Sequence, residues 1–229
     1  MFIVNKMPQS LSAESYRSIR TSIKYSSVDN PIKTIVITSS NSSEGKSTVA
    51  GNLAFSLSQN GSRTLLIDCD LRKPSVHKKF LIPNDKGLTD VLFDKQDLKE
   101  VIKKIENNLY VLPCGTIPPN PAEILGSKTM EEFLDKLSIN YDYIILDTPP
   151  VLAVTDAQLL AAKADATVLV VKANKTKGKT VVNSYKELEK VKANIIGTIL
   201  NDYDNSGERL YYRHEKDKKI SNFFKKFKK

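Results

Sequence analysis

The sequence predicts an α/β protein, a doubly wound and mostly parallel sheet with helices on both faces. Three observations predict it. Short, continuous, β-branched apolar runs recur along the chain, as strands buried on both faces require. Segments of helical character alternate with them, the pattern of right-handed β-α-β crossovers. The 229 residues are 40% hydrophobic and 27% charged, enough for one domain with a real core and unlike a disordered or fibrous chain.

The elements come in order along the chain. Residues 10–28 read as a leader helix: Leu11, Ile19 and Ile23 form one apolar face, and Glu14, Arg17 and Arg20 recur at spacings of three on another. Apolar runs at 35–37, 65–67, 110–112, 144–146, 168–171 and 195–200 read as strands. Helices are expected over 47–59, 98–105, 128–137, 156–162 and 180–191. The chain divides into a leader (1–30), the α/β domain (31–202) and a polar, basic tail (203–229).

Charge is placed unevenly. The chain carries 35 basic and 26 acidic residues, a net +9. Residues 213–229 hold eight Lys and Arg against Glu215 and Asp217, so the tail is +6 and the other residues share +3. A body this close to balance argues against a nucleic-acid enzyme. Phe223, Phe224 and Phe227 interleave with lysines in the tail, which suits an anionic membrane surface as well as a solvated segment. Cys69 and Cys114 fit no disulfide framework and read as reduced, inert thiols. No apolar run reaches the roughly 18–20 residues of a membrane span, and the first ten residues lack the order of a signal peptide. A cytoplasmic protein is expected.

Chemistry is expected just after the apolar runs, because ligands of parallel sheets bind beyond the carboxyl ends of the strands. After the first run come Ser43, Glu44, Gly45, Lys46, Ser47 and Thr48, then a helix. Such a loop offers backbone N–H groups and a positive helix end to phosphates; Lys46 reaches the outer phosphates and Ser47 ligates Mg²⁺. The G-x-x-x-x-G-K-[ST] pattern expects Gly where Ser40 stands. The second run closes on Asp68 and Asp70, two carboxylates on one side of an extended backbone that need a cation or a proton between them. The run at 144–146 closes on Asp147, before Thr148, Pro149 and Pro150, the second Mg²⁺-side element of a nucleotide hydrolase. In this order the three imply Mg²⁺ and a nucleoside triphosphate, on a P-loop NTPase fold.

These residues resemble the bacterial tyrosine kinases, of the cytoplasmic type that works with polysaccharide co-polymerases. The resemblance rests on 43–48, on the acidic box at 65–74 running into Arg72, Lys73 and Pro74, and on 144–150. The stretch 115–125, with its Pro-Pro-Asn-Pro, and the leader's Glu14, Arg17 and Arg20 belong to it too. It implies ATP and Mg²⁺ as cofactors, with Lys46, Asp68 and Asp70 as catalytic groups. Asp68 would accept or orient the tyrosine hydroxyl, Ser47, Asp70 and Asp147 would position Mg²⁺, and Asn201 would contact adenine. It further implies a ring of subunits joined through Glu14, Arg17 and Arg20. A membrane-embedded activator would hold the kinase at the inner face of the membrane, with protein-tyrosine substrates in capsule or exopolysaccharide synthesis. The chain departs from the family in carrying Ser43 where Gly is common and in ending on a basic tail instead of a tyrosine cluster. Tyr203, Tyr211 and Tyr212 are the candidate phospho-acceptors. The alternative is an ATPase switch of the partitioning or division-site type, whose loop usually carries an extra Lys near Asn41, which this chain lacks.

Overall fold

A computed structural model describes residues 2–26, 31–94 and 96–203. In chain order the elements are α1 (Ile3–Lys6), α2 (Leu11–Tyr25), β1 (Thr34–Ser39), α3 (Lys46–Gln59), β2 (Thr64–Asp68), α4 (Val76–Phe80), α5 (Leu88–Asp94) and α6 (Leu98–Val101). They continue with β3 (Lys103–Glu106), β4 (Leu109–Leu112), α7 (Pro121–Gly126), α8 (Lys128–Ser138), β5 (Tyr143–Asp147), α9 (Asp156–Ala161), β6 (Ala166–Lys172), α10 (Gly178–Lys190) and β7 (Ile195–Asn201). The seven strands form one sheet in the order β3-β4-β2-β5-β1-β6-β7. Every pairing is parallel except β3 with β4. The doubly wound sheet is as expected.

The short helices α1, α4, α5 and α7 lie outside the expected helices, and one expected element differs. The helix expected over 98–105 stops at Val101, and Lys103–Glu106 pairs antiparallel with Leu109–Leu112 as an edge strand. Leu-Lys-Glu-Val-Ile-Lys-Lys-Ile reads helical by composition, but a free edge of β4 and an Asn107-Asn108 turn capture its second half. Asn108 takes φ 64, which Asn tolerates better than most residues. Tertiary pairing overrides local propensity here. The exposed lysine on this edge discourages a further strand from adding.

Alternation along the strands divides the core. Ile35, Ile37, Leu66 and Ile145 point to the face covered by α3; Val36, Leu65, Ile67, Ile144 and Leu146 point to the face covered by α7 to α9. Helix α3 is buried nearly all round because the leader covers its outer side. Phe2 packs on Phe55 and Phe80 at ring separations of 5.3 and 4.5 Å, so closely that a Cβ on Gly51 would fall 2.1 Å from the Phe2 ring. Val4 N–H donates to Asn52 Oδ1, and Ser56 Oγ donates to the Tyr16 carbonyl. Burial pushes the Tyr16 hydroxyl up to about 12. The leader thus shares the core of the helix that begins at the phosphate loop.

Candidate active site

The phosphate loop runs from the end of β1 into α3. Ser40, at the position of the expected glycine, is fully buried and keeps a negative φ, so its Cβ is accommodated. Its hydroxyl accepts from Ser184 Oγ on α10 at 2.7 Å. Ser43 holds φ 63, the left-handed backbone that Gly would take without strain; for a serine this costs on the order of 1 kcal/mol. Gly45 takes φ 98 at the N-cap of α3. A Cβ there would be strained by that φ and would lie 2.0 Å from Asn201 Nδ2, forcing the Asn201 side chain to move. Asn201, at the end of β7, donates through that nitrogen to the Glu44 carbonyl at 3.0 Å. The Glu44 side chain is buried and accepts from Asn41 Nδ2 (3.2 Å) and Thr176 Oγ1 (2.6 Å). The loop is therefore braced from β7 and from the turn after β6. Lys46 opens α3 with little exposure, Ser47 Oγ accepts from Ser75 Oγ at 2.9 Å, and Thr48 Oγ1 accepts from Lys79 Nζ at 3.0 Å.

The acidic groups meet through strand register. Asp68 and Asp147 are direct partners across β2 and β5, both fully buried. Their surroundings differ. Asp68 accepts three backbone N–H groups, from Asp70 (3.2 Å), Ser75 (3.0 Å) and Val76 (2.9 Å). Burial and the Asp147 carboxylate nevertheless push it well above the usual carboxylate range. Neither Asp147 oxygen has a hydrogen-bond partner of good geometry among the described residues. Burial pushes it up to about 7, with the Ser47 hydroxyl and the Lys46 ammonium opposing. Asp70 lines the open cleft and accepts from Lys73 N–H at 3.0 Å. Burial raises it too, against the Lys73 amide and Lys46. A buried, unpartnered carboxylate beside a serine hydroxyl at the foot of a phosphate loop suits a hard cation that shares phosphate oxygens. The donor set Ser47, Asp70 and Asp147 fits Mg²⁺.

Residues 32–201 match the family model for an AAA domain. Among curated proteins the chain is 46% identical over 195 residues to tyrosine-protein kinase YwqD of Bacillus subtilis, covering 85% of this chain and 82% of that one. It is 37% identical to the putative tyrosine-protein kinase CapB of Staphylococcus aureus, covering 93% and 94%. The solved kinase domain of Escherichia coli tyrosine kinase ETK superposes with a TM-score of 0.84 at 33% identity, over 88% of this chain and 79% of that one. The chain belongs to the bacterial tyrosine kinase family. The septum site-determining protein MinD of Pyrococcus horikoshii, complexed with Mg-ADP, shares the fold at 26% identity and a TM-score of 0.63. The partitioning-type switch is accordingly the reading not favoured.

Around the kinase's phosphate loop lies a cleft of about 670 Å³, walled by the loop itself, by the segment after β2 and by Pro149–Val154 after β5. Sequence reasoning missed the contact that ties the last two together. Arg72 makes a bidentate pair with the fully buried Asp156, Nε to Oδ2 at 2.9 Å and Nη2 to Oδ1 at 3.0 Å. The partners are 84 residues apart, and no spacing rule signals them. The Pro-Pro-Asn-Pro stretch is held through Asp90, which accepts from Gly87 N–H, Thr116 N–H and Thr116 Oγ1. In the leader, Glu14 is exposed and pairs with Arg17 at 2.7 Å, whereas Arg20 donates to the Ser56 carbonyl at 2.8 Å. Tyr203 is 62% exposed. Tyr211, Tyr212 and the rest of the tail lie outside the described residues. Burial holds the Cys69 thiol high and pushes Cys114 up to about 12, as expected of inert thiols.

Proposed function

We propose that the kinase transfers the γ-phosphoryl group of Mg·ATP to tyrosine hydroxyls, its own and those of proteins that make capsule or exopolysaccharide. The observation that carries the assignment is the fully buried Asp147 carboxylate, which lacks a hydrogen-bond partner of good geometry among the described residues, beside Ser47 and across the strand pairing from Asp68. The bond from the γ-phosphorus to the β–γ bridging oxygen breaks, the bond to the tyrosine oxygen forms, and the hydroxyl proton passes to a carboxylate. Lys46 and the N–H groups at the start of α3 hold the phosphates. Ser47, Asp70 and Asp147 would hold Mg²⁺, which when bound neutralises charge developing on the phosphate oxygens. A tyrosine hydroxyl loses its proton near pH ~10, so the neighbouring carboxylate aligns it and takes the proton late. Asp70 faces the cleft; Asp68 lies behind it, with its oxygens engaged by loop amides, and would receive the proton only as that loop adjusts. Asn201, which braces the loop at Glu44, is proposed to meet adenine.

Relatives of two lengths support a partner. YwqD and CapB are matched over most of their length, while wzc of Salmonella typhi is matched over 87% of this chain but only 26% of that protein. The same unit thus makes up most of some relatives and about a quarter of a longer one, which supports a membrane-embedded activator as its partner. The putative tyrosine-protein kinase in the cps region of Klebsiella pneumoniae supports the capsule role. Among the described residues no helix is long and apolar enough to cross a membrane. Glu14 and Arg17 are proposed to face a neighbouring subunit in a ring, while Arg20 fixes the leader to α3 and so sets the angle of that face.

Lys46→Met is the test. It should abolish phosphotyrosine formation while leaving the fold intact, and undiminished labelling from radioactive ATP would sink the assignment. A switch ATPase would release phosphate and ADP without phosphotyrosine.

A further inference from the structure

The cleft is lopsided. It extends from the phosphate loop toward the ends of β2 and β5, and no residue of β7 lines it. Beyond the loop its lining combines two unlike sets of side chains, the cations Arg72, Lys73 and Lys79 and the apolar Pro149, Leu152 and Val154. Two of the three cations are engaged, Arg72 by Asp156 and Lys79 by Thr48. Lys73 is exposed and makes no ion pair among the described residues, although its own amide fixes Asp70. Its ammonium therefore has no ion-pair partner among the described residues, in a cleft that Asp70 also lines together with prolines and aliphatic groups suited to an aromatic ring.

From this we infer that the part of the cleft beyond the loop is the acceptor groove, and that it selects tyrosines flanked by acidic residues, with Lys73 as the specificity-determining side chain. The inference rests on the kinase reading and deepens it. The tyrosine ring would lie against Pro149 and Leu152, and its acidic neighbours would meet the basic side chains of the lining. The chain's own tyrosines differ sharply by this criterion. Tyr203 stands between Asp202 and Asp204, whereas Tyr211 and Tyr212 run directly into Arg213 and the +6 segment. The groove thus favours Tyr203. Three strand spacings separate β5 from β7 in the sheet order, about 14 Å at ~4.8 Å each, so Tyr203 would enter the groove of a second copy and not its own.

The experiment uses the purified full chain with Mg·ATP and three tyrosyl peptides, identical except for Asp, Ala or Lys on both sides of the tyrosine. Initial rates of phosphotyrosine formation are compared at low and high salt, and self-labelled sites are mapped by mass spectrometry. The Asp-flanked peptide should exceed the Lys-flanked one about tenfold in kcat/KM, a spread expected from a few exposed charge contacts and narrowed by salt. Lys73→Glu should shrink or reverse the ratio between peptides, and Lys73→Met should shrink it without reversal. Label should accumulate on Tyr203 ahead of Tyr211 and Tyr212. Equal rates, preference for the Lys-flanked peptide, or a ratio untouched by both Lys73 variants would overturn the inference while leaving the kinase reading in place. Absence of phosphotyrosine on every peptide and on the chain itself would overturn both.

Discussion

Replacing Asp147 by Asn should make the nucleotide-free kinase more stable at pH 8 and inactive. Asp147 is fully buried, its oxygens lack partners among the described residues, and burial lifts its pKa from the ordinary 3.8 to about 7. For an acid shifted upward, the folded state resists the charged form. The cost is absent below the ordinary value, grows as pH rises through 4 to 7, and is complete above about 7. A rise to about 7 corresponds to a few kcal/mol there, and to a clearly smaller cost at pH 5. The Asn amide brings its own unmet hydrogen bonds, about 1–3 kcal/mol at any pH. The variant should therefore gain about 1–3 kcal/mol at pH 8 and come out near neutral at pH 5. The change between the two pH values, on the order of a few kcal/mol, does not depend on the amide's own cost. Urea unfolding of both proteins at pH 5, 6, 7 and 8 without Mg²⁺ measures it, and added Mg²⁺ with nucleotide should stabilise the wild type far more than the variant. A stability difference flat with pH, or a variant weaker than wild type by the same amount throughout, would refute the view of Asp147 as an uncompensated charge awaiting a cation.

Other substitutions address the remaining parts of the site. Gly45→Ala forces a side chain into φ 98 and into Asn201 Nδ2, so nucleotide affinity should fall at least tenfold, by about 1–3 kcal/mol of strain, with the circular dichroism spectrum unchanged. Adding Asn201→Ala should restore only the steric share, and full affinity in the single variant would refute the account of the loop. The double variant Glu14→Ala, Arg17→Ala should shift sedimentation toward smaller species if that face joins subunits; an unchanged distribution at equal concentration would remove it from the interface. Deleting residues 213–229 should lower sedimentation with anionic liposomes and leave catalysis intact, whereas equal binding by both forms would dismiss a membrane role for the tail.

Much of the site is legible in the sequence because its chemistry is carried by neighbours along the chain. Gly45, Lys46 and Ser47 sit together at a strand-to-helix junction, and Asp68, Asp70 and Asp147 close apolar runs. Period and punctuation suffice for such features. The 98–105 segment misleads because its composition suits a helix, and only the open edge of β4 turns half of it into a strand. The departures from the loop pattern also resolve in three dimensions: Ser40 is tolerated because Ser184 meets its hydroxyl, and Ser43 because it simply adopts the left-handed backbone.

By itself the sequence determined the class of fold, the phosphate loop and the family. It also placed two thirds of a +9 charge in the last 17 residues. Those properties come from local pattern, since a strand, a loop and a helix cap need only adjacent residues. The tertiary structure decided which carboxylate is left without a partner. Asp68 and Asp147 look alike in sequence, yet the turn at 70–76 saturates one, and nothing among the described residues saturates the other. It also joined Arg72 to Asp156, set Asn201 against Gly45 and brought Lys73 into one cleft with Pro149 and Leu152. Each of these juxtapositions spans dozens of residues and depends on strand order and register, which no local pattern encodes.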